Sequence, residues 1–174
     1  MADPIGIDFG GSGIKAAPVD LSNGEFSAPR VGFFPSLRLT FNHILDVDLY
    51  YIAALEGGDA IGRIKAPDSE YADAHSIRLV QTASDKRLIA FCERQTEQSL
   101  QRDCVLPRPN RKPPPTRVAR VLEHLFQHDI HHRGQAHAML AGTRVKPPQL
   151  DEFFLAGEQD LRRDELRALG LPET

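Results

Sequence analysis

Two spacings of hydrophobic residues divide the chain. Over residues 5–19 apolar and polar positions alternate. Ile5, Ile7 and Phe9 lead into Gly10-Gly11-Ser12-Gly13, and Ile14 to Val19 continue as a second strand, which predicts a short β-hairpin. Asn23-Gly24 reads as a further turn, with no helical spacing before residue 30. From Pro35 onward the spacing is helical. Pro35 suits a first helical turn, and Ser36 to Leu55 run without a breaker until Gly57-Gly58. Ala60 to Ser69 is a polar connection. Tyr71 to Leu100 reads mostly as helix, with Ile77, Val80, Leu88, Ile89 and Phe91 toward the core. Pro107, Pro109, Pro113, Pro114 and Pro115 exclude regular helix between them. Thr116 is placed to cap a long helix that runs to Ala141 and stops at Gly142. Gln149 to Leu169 predicts one more short helix. The expected fold is mainly α, with residues 1–32 as a hairpin appendage and 33–174 as a helical domain.

Composition narrows the class. A chain of 174 residues suits one domain with an appendage, and 41% hydrophobic with 26% charged residues is ordinary for a soluble globular protein. The net charge of −3 supplies no general basic field for nucleic acid. The local run Arg108, Arg111, Lys112, Arg117 and Arg120 is broken by prolines and lacks interleaved aromatics, so it reads as a solvated loop. No apolar run approaches the roughly 18–20 residues that cross a bilayer, and Met1-Ala2-Asp3-Pro4 has the features of no secretory leader. Cys92 and Cys104 form no C-x-x-C and are expected as reduced thiols. These features predict a cytoplasmic protein with neither nucleic acid nor membrane as partner.

Histidine carries the candidate chemistry. Five of the seven (His124, His128, His131, His132 and His137) fall between residues 124 and 137. With about 100° per residue, Val121, Leu125, Ala136 and Met139 define an apolar stripe on that helix. His128 and His132 lie within or beside the stripe, His124 and His131 on its margin, and His137 points away. Two imidazoles at i and i+4 can chelate one metal ion. On the preceding long helix His43 shares a face with Val47, Tyr50, Tyr51 and Ala54, which makes it the candidate third ligand, whereas His75 looks exposed. The other reading of such histidines is a buried, hydrogen-bonded structural role.

Two stretches resemble the DinB family of metal-dependent helical-bundle proteins. One is Phe34-Pro35-Ser36-Leu37-Arg38-Leu39-Thr40-Phe41-Asn42-His43-Ile44-Leu45, followed by Asp48. The other is Leu122 to Leu140, where His131-His132-Arg133-Gly134-Gln135 follows His128, with Pro147-Pro148-Gln149-Leu150-Asp151 downstream. The resemblance covers residues 33–160. It implies a DinB/YfiT-like four-helix bundle, here without a readable first helix, and a divalent metal held by His43, His128 and His132. Three neutral imidazoles leave coordination positions open, as catalytic sites do. Zinc and nickel are the first expectations, with iron and manganese as alternatives. Gln127 stands where the family usually has Asn and keeps a hydrogen-bond donor. Asp129 is a candidate acceptor for an imidazole N–H, or a partner for Arg133 one turn on. A bundle short of one helix leaves an apolar groove open, which predicts a homodimer.

Residues 5–26 resemble a different family, the opening of polyphosphate glucokinases and related ROK-type sugar kinases. That resemblance implies an ATP phosphate loop built on Asp8, Gly10, Gly11, Ser12 and Gly13, with backbone N–H groups toward the phosphates. The second phosphate loop, adenosine pocket and sugar lobe of such an enzyme are not readable after residue 30, and no Walker A pattern is present. A fusion or mis-assembled reading frame near residues 26–33 is the expected origin. The leading expectation is therefore a metal-dependent enzyme, a hydrolase or thiol-dependent transferase, acting on a small molecule with a low-molecular-weight thiol as cosubstrate. The alternatives are a non-catalytic, damage-inducible metal-binding protein and a sugar-kinase fragment. Asp46, Asp48 and Tyr50 share the helix of His43, structural roles fit each, and the catalytic residues stay unassigned.

Overall fold

The computed structural model describes residues 6–9, 14–18, 21–64 and 71–144. Strands β1 (Gly6–Phe9) and β2 (Ile14–Pro18) pair antiparallel, with Phe9 opposite Ile14 and a register shift between Gly6 and Asp8. The expected hairpin is thus present. Gly10, Gly11, Ser12 and Gly13 lie outside the described residues, and for Asp8 only the strand position is described. The predicted helix within 149–169 also lies outside them.

The turn expected at Asn23-Gly24 is instead a short helix, α1 (Asn23–Ser27). Its cause is a capping box: the Glu25 amide donates to Ser22 Oγ at 3.3 Å, and the Ser22 amide donates to Glu25 Oε2 at 3.1 Å. One turn is enough to drive Phe26 into the core, fully buried and stacked on Phe41 with ring centroids 6.0 Å apart. With Leu21 it joins the cluster of Leu37, Phe41, Ile44, Leu45, Ile77, Ala136 and Met139.

Helix α2 (Leu37–Leu55) follows the sequence reading closely. Ser36 caps it by accepting the Leu39 amide at 3.2 Å, and Gly57 ends it at φ 74°, a backbone conformation that favours glycine. Helix α3 (Ala74–Glu93) is capped by Asp73, which accepts the Ser76 amide at 2.8 Å. The segment expected as one stretch to Leu100 is broken after Glu93, and α4 (Glu97–Leu100) restarts behind its own cap, Thr96. Ile77, Leu88 and Phe91 are buried as expected, and Val80 partly so, but Ile89 is exposed because its neighbours Leu88 and Phe91 take the inward positions. A 3-10 turn at Ile61–Arg63 interrupts the polar connection.

The prolines keep residues 105–115 free of helix. A two-residue ladder closes the loop they form, β3 (Asp103–Cys104) against β4 (Thr116–Arg117). Thr116 therefore sits in a strand rather than capping the last helix, α5 (Val118–Ala141), whose N-cap is Arg117. The Val118 amide donates to the Arg102 carbonyl at 2.9 Å, which removes the need for a side-chain cap there. Helix α2 packs between α3 and α5, and these three long helices carry the core. The described residues thus form a mainly helical fold behind a hairpin.

Candidate metal centre

The seam between α2 and α5 gathers three histidines. The Nε2 atoms of His43 and His128 are 3.0 Å apart, and one ring nitrogen from each of His43, His128 and His132 falls within 4.8 Å of the others. His132 is buried and the other two are half-buried. The helical register explains the convergence: His128 and His132 stand one turn apart on α5, and His43 meets them from α2.

The environment suits cation ligands. Burial, then the charges of the neighbouring imidazoles, holds His43 down to about 4. Burial is also the main cause that lowers His128 and His132. All three rings are therefore neutral near pH 7, with lone pairs available. A tetrahedral ion about 2.0–2.1 Å from each nitrogen requires nitrogen separations of roughly 3.3 Å, which the observed 3.0 Å and 4.8 Å limits bracket. The donor set could hold a metal ion.

Neighbours fix two of the three rings. His132 Nδ1 lies 2.8 Å from Gln135 Oε1, an acceptor, so Nδ1 carries the proton and Nε2 keeps its lone pair. The Gln135 amide continues to His131 Nε2 at 3.0 Å. Phe34 packs on His43 and His132, with ring centroids 4.5 Å and 5.7 Å away. Its loop lies close against α5: a Cβ on Gly32 would come 2.5 Å from the Met139 methyl. The sequence reading gave no role to Gln135 or Phe34. Gln135 was signalled by its spacing of three from His132.

The remaining residues divide. Asp129 is buried, and its Oδ1 lies 3.6 Å from His128 Nδ1. Arg133 donates from Nε to the Asp129 backbone carbonyl at 3.3 Å. Gln127 is exposed and faces a different place, an open cavity of about 500 Å³ bordered by Tyr51, Leu106, Arg120 and His124. His124 is held there by the Tyr51 hydroxyl, 2.9 Å from its Nδ1, with the rings stacked at 4°. His75 is exposed, and His137 is half-buried outside the triad.

Among the described residues, His43, His128 and His132 form the one group of three or more His, Cys, Asp or Glu that could hold a metal ion. No helix among those residues is long and apolar enough to cross a membrane. No curated protein matches the chain. A family model does match it, that of the DinB family, over residues 14–164.

Proposed function

The chain belongs to the DinB family, and from that premise we propose that it is a metal-dependent enzyme, a hydrolase or thiol-dependent transferase, with His43, His128 and His132 as ligands. The observation that carries the reading is the meeting of three imidazoles that burial keeps neutral, with ligand atoms within 4.8 Å of one another. Zinc or nickel suits an all-nitrogen donor set best. A bound ion of this kind supplies Lewis acidity and lowers the pKa of a water or thiol. The chain's own residues do the rest. Gln135 holds His132 Nε2 free for coordination. Asp129 stands ready to accept the Nδ1 proton of His128. Phe34 covers one side of the ring pair and limits water there. The substrate is a small molecule, with a low-molecular-weight thiol as cosubstrate, and the working form is a cytoplasmic homodimer.

Metal content tests the assignment. The purified chain is expected to carry zinc or nickel by elemental mass spectrometry, and the His128→Ala/His132→Ala variant to carry none above background. Equal metal in the two proteins overturns the ligand set.

A further inference from the structure

One helical turn along the α2–α5 seam from the triad lies the cavity that Gln127 borders, which the metal reading does not use. His124 precedes His128 by four residues and Tyr51 follows His43 by eight, so their meeting continues the antiparallel register of the seam. His124 stands about 6 Å further along α5 than His128. The cavity holds about 500 Å³, within the range of small-molecule sites. Its apolar lining is turned inward: Tyr51 and Val121 are buried, and Leu106 partly so. Thr116, Arg120, His124 and Gln127 form its exposed rim.

That rim is rich in donors and cations. The Tyr51 hydroxyl lies 2.9 Å from His124 Nδ1 and has no other partner among the described residues. Burial raises its pKa, so it stays protonated and donates to Nδ1. His124 then carries its own proton on Nε2, as a donor at the rim. Leu106 and Thr116 also bracket the loop with the basic run. Tyr50 pins that loop by donating to the Pro107 carbonyl at 2.7 Å, and Arg108 lies over the Tyr50 ring at 5.1 Å. The Tyr50 ring meets that of Tyr51 edge-on at 5.4 Å. Residues 105–122 hold five cations and no carboxylate. Glu123, the acidic residue of the lining, is already paired with Arg120 at 2.8 Å, and the guanidinium has further N–H groups to offer.

We propose that this cavity binds the carboxylate of a small organic acid: its apolar body rests on Tyr51, Leu106 and Val121, and His124 Nε2, Gln127 and Arg120 hold the anion. The inference deepens the proposed function by naming a substrate class. It rests on that reading only for what the triad does with the acid, since binding itself needs no ion. The experiment titrates the full chain, with 15N-labelled histidine and stripped of metal by a chelator, with phenylacetate and its neutral amide, phenylacetamide. Phenylacetate is expected to saturate one site and to shift the His124 ring nitrogens, and phenylacetamide to bind at least about 10-fold more weakly. His124→Phe, which keeps a ring but no donor, and Arg120→Gln are each expected to weaken phenylacetate by about 10–100-fold. The His128→Ala/His132→Ala variant is expected to bind it as the wild type does. Equal binding of acid and amide, no saturable binding, or undiminished affinity in either His124→Phe or Arg120→Gln overturns the proposal. So does loss of binding in the His128→Ala/His132→Ala protein, which would place the acid at the triad instead. Absence of metal in the purified wild type would defeat the ligand set, and the same titration would still decide this inference.

Discussion

His128 stands between two clusters that the same physical cause drives in opposite directions. On one side are three imidazoles, on the other Asp48, Asp85 and Asp129 with Arg133. Burial penalises charge, so it lowers the imidazole pKa values and raises those of Asp48 and Asp129. Helix α5 serves both through adjacent pairs, His128-Asp129 and His132-Arg133: neighbours are turned by about 100°, so one helix faces two sites. The first cluster is left as neutral donors that accept a cation from outside. The second already contains a cation, Arg133, and the Gln81 amide bridges Asp48 Oδ2 and Asp85 Oδ1 at 2.6 Å and 2.9 Å. Burial of ionisable groups therefore does not by itself mark a site; what matters is whether their charges are balanced within the fold.

The sharpest way to break this contrast is to delete one member from each side. Arg133→Met leaves buried carboxyls without their cation and is expected to cost about 3–5 kcal/mol in denaturant unfolding. His43→Leu removes a half-buried neutral ring, creates no unbalanced charge, and is expected to cost about 1 kcal/mol. Similar losses in the two variants would mean that charge balance does not distinguish the clusters. A smaller effect is expected from Gln135→Leu. It leaves the ligands in place but frees the His132 tautomer, so zinc affinity should fall by about 10–100-fold while the unfolding midpoint of the metal-free protein hardly moves. A loss of stability without a loss of affinity would make Gln135 a helix-surface residue only.

The histidine side was legible in the sequence because α2 and α5 are regular helices, and angular position on a regular helix follows from residue number. On the acidic side Asp48, Asp129 and Arg133 were noticed, but Gln81 and Asp85 were passed over for a general reason: Asp and Gln on a helix read as solvated. The information was nevertheless present on α3, where Gln81, Ser84 and Asp85 lie within about 80° of Ile77 and near Leu88, on the face that packs inward. Polar residues in an apolar stripe indicate a buried network when a partner helix offers polar groups opposite, and no single helix reveals that. The same limit applies to α1. The pattern Ser22-x-x-Glu25 encodes its capping box, yet Asn23-Gly24 has the stronger local preference for a turn; burial of Phe26 against Phe41 decided the outcome. The hairpin was read from alternation alone, and its pairing matches that reading.

The smallest effect expected is the most direct test of the opposition, because the two clusters should pull stability in opposite directions as pH falls. His43 is lowered to about 4 from 6.5, so the unfolded chain binds more protons than the folded one between those values. Its contribution is complete above pH 6.5 and is lost as pH falls toward 4. Asp129 is raised to about 6 from 3.8, chiefly by burial, so the folded state binds more protons there. Its contribution is complete below pH 3.8 and is lost as pH rises through 6. Between these limits the slopes partly cancel in the metal-free wild type, giving a shallow profile of unfolding midpoint against pH. Asp129→Asn removes the acidic member and should make the protein lose stability more steeply on acidification. His43→Gln removes the basic member and should make the acid limb shallower, or reverse it. Urea midpoints across that range in chelator-treated protein check both slopes, and three superimposable profiles would show that the two clusters do not oppose each other through burial.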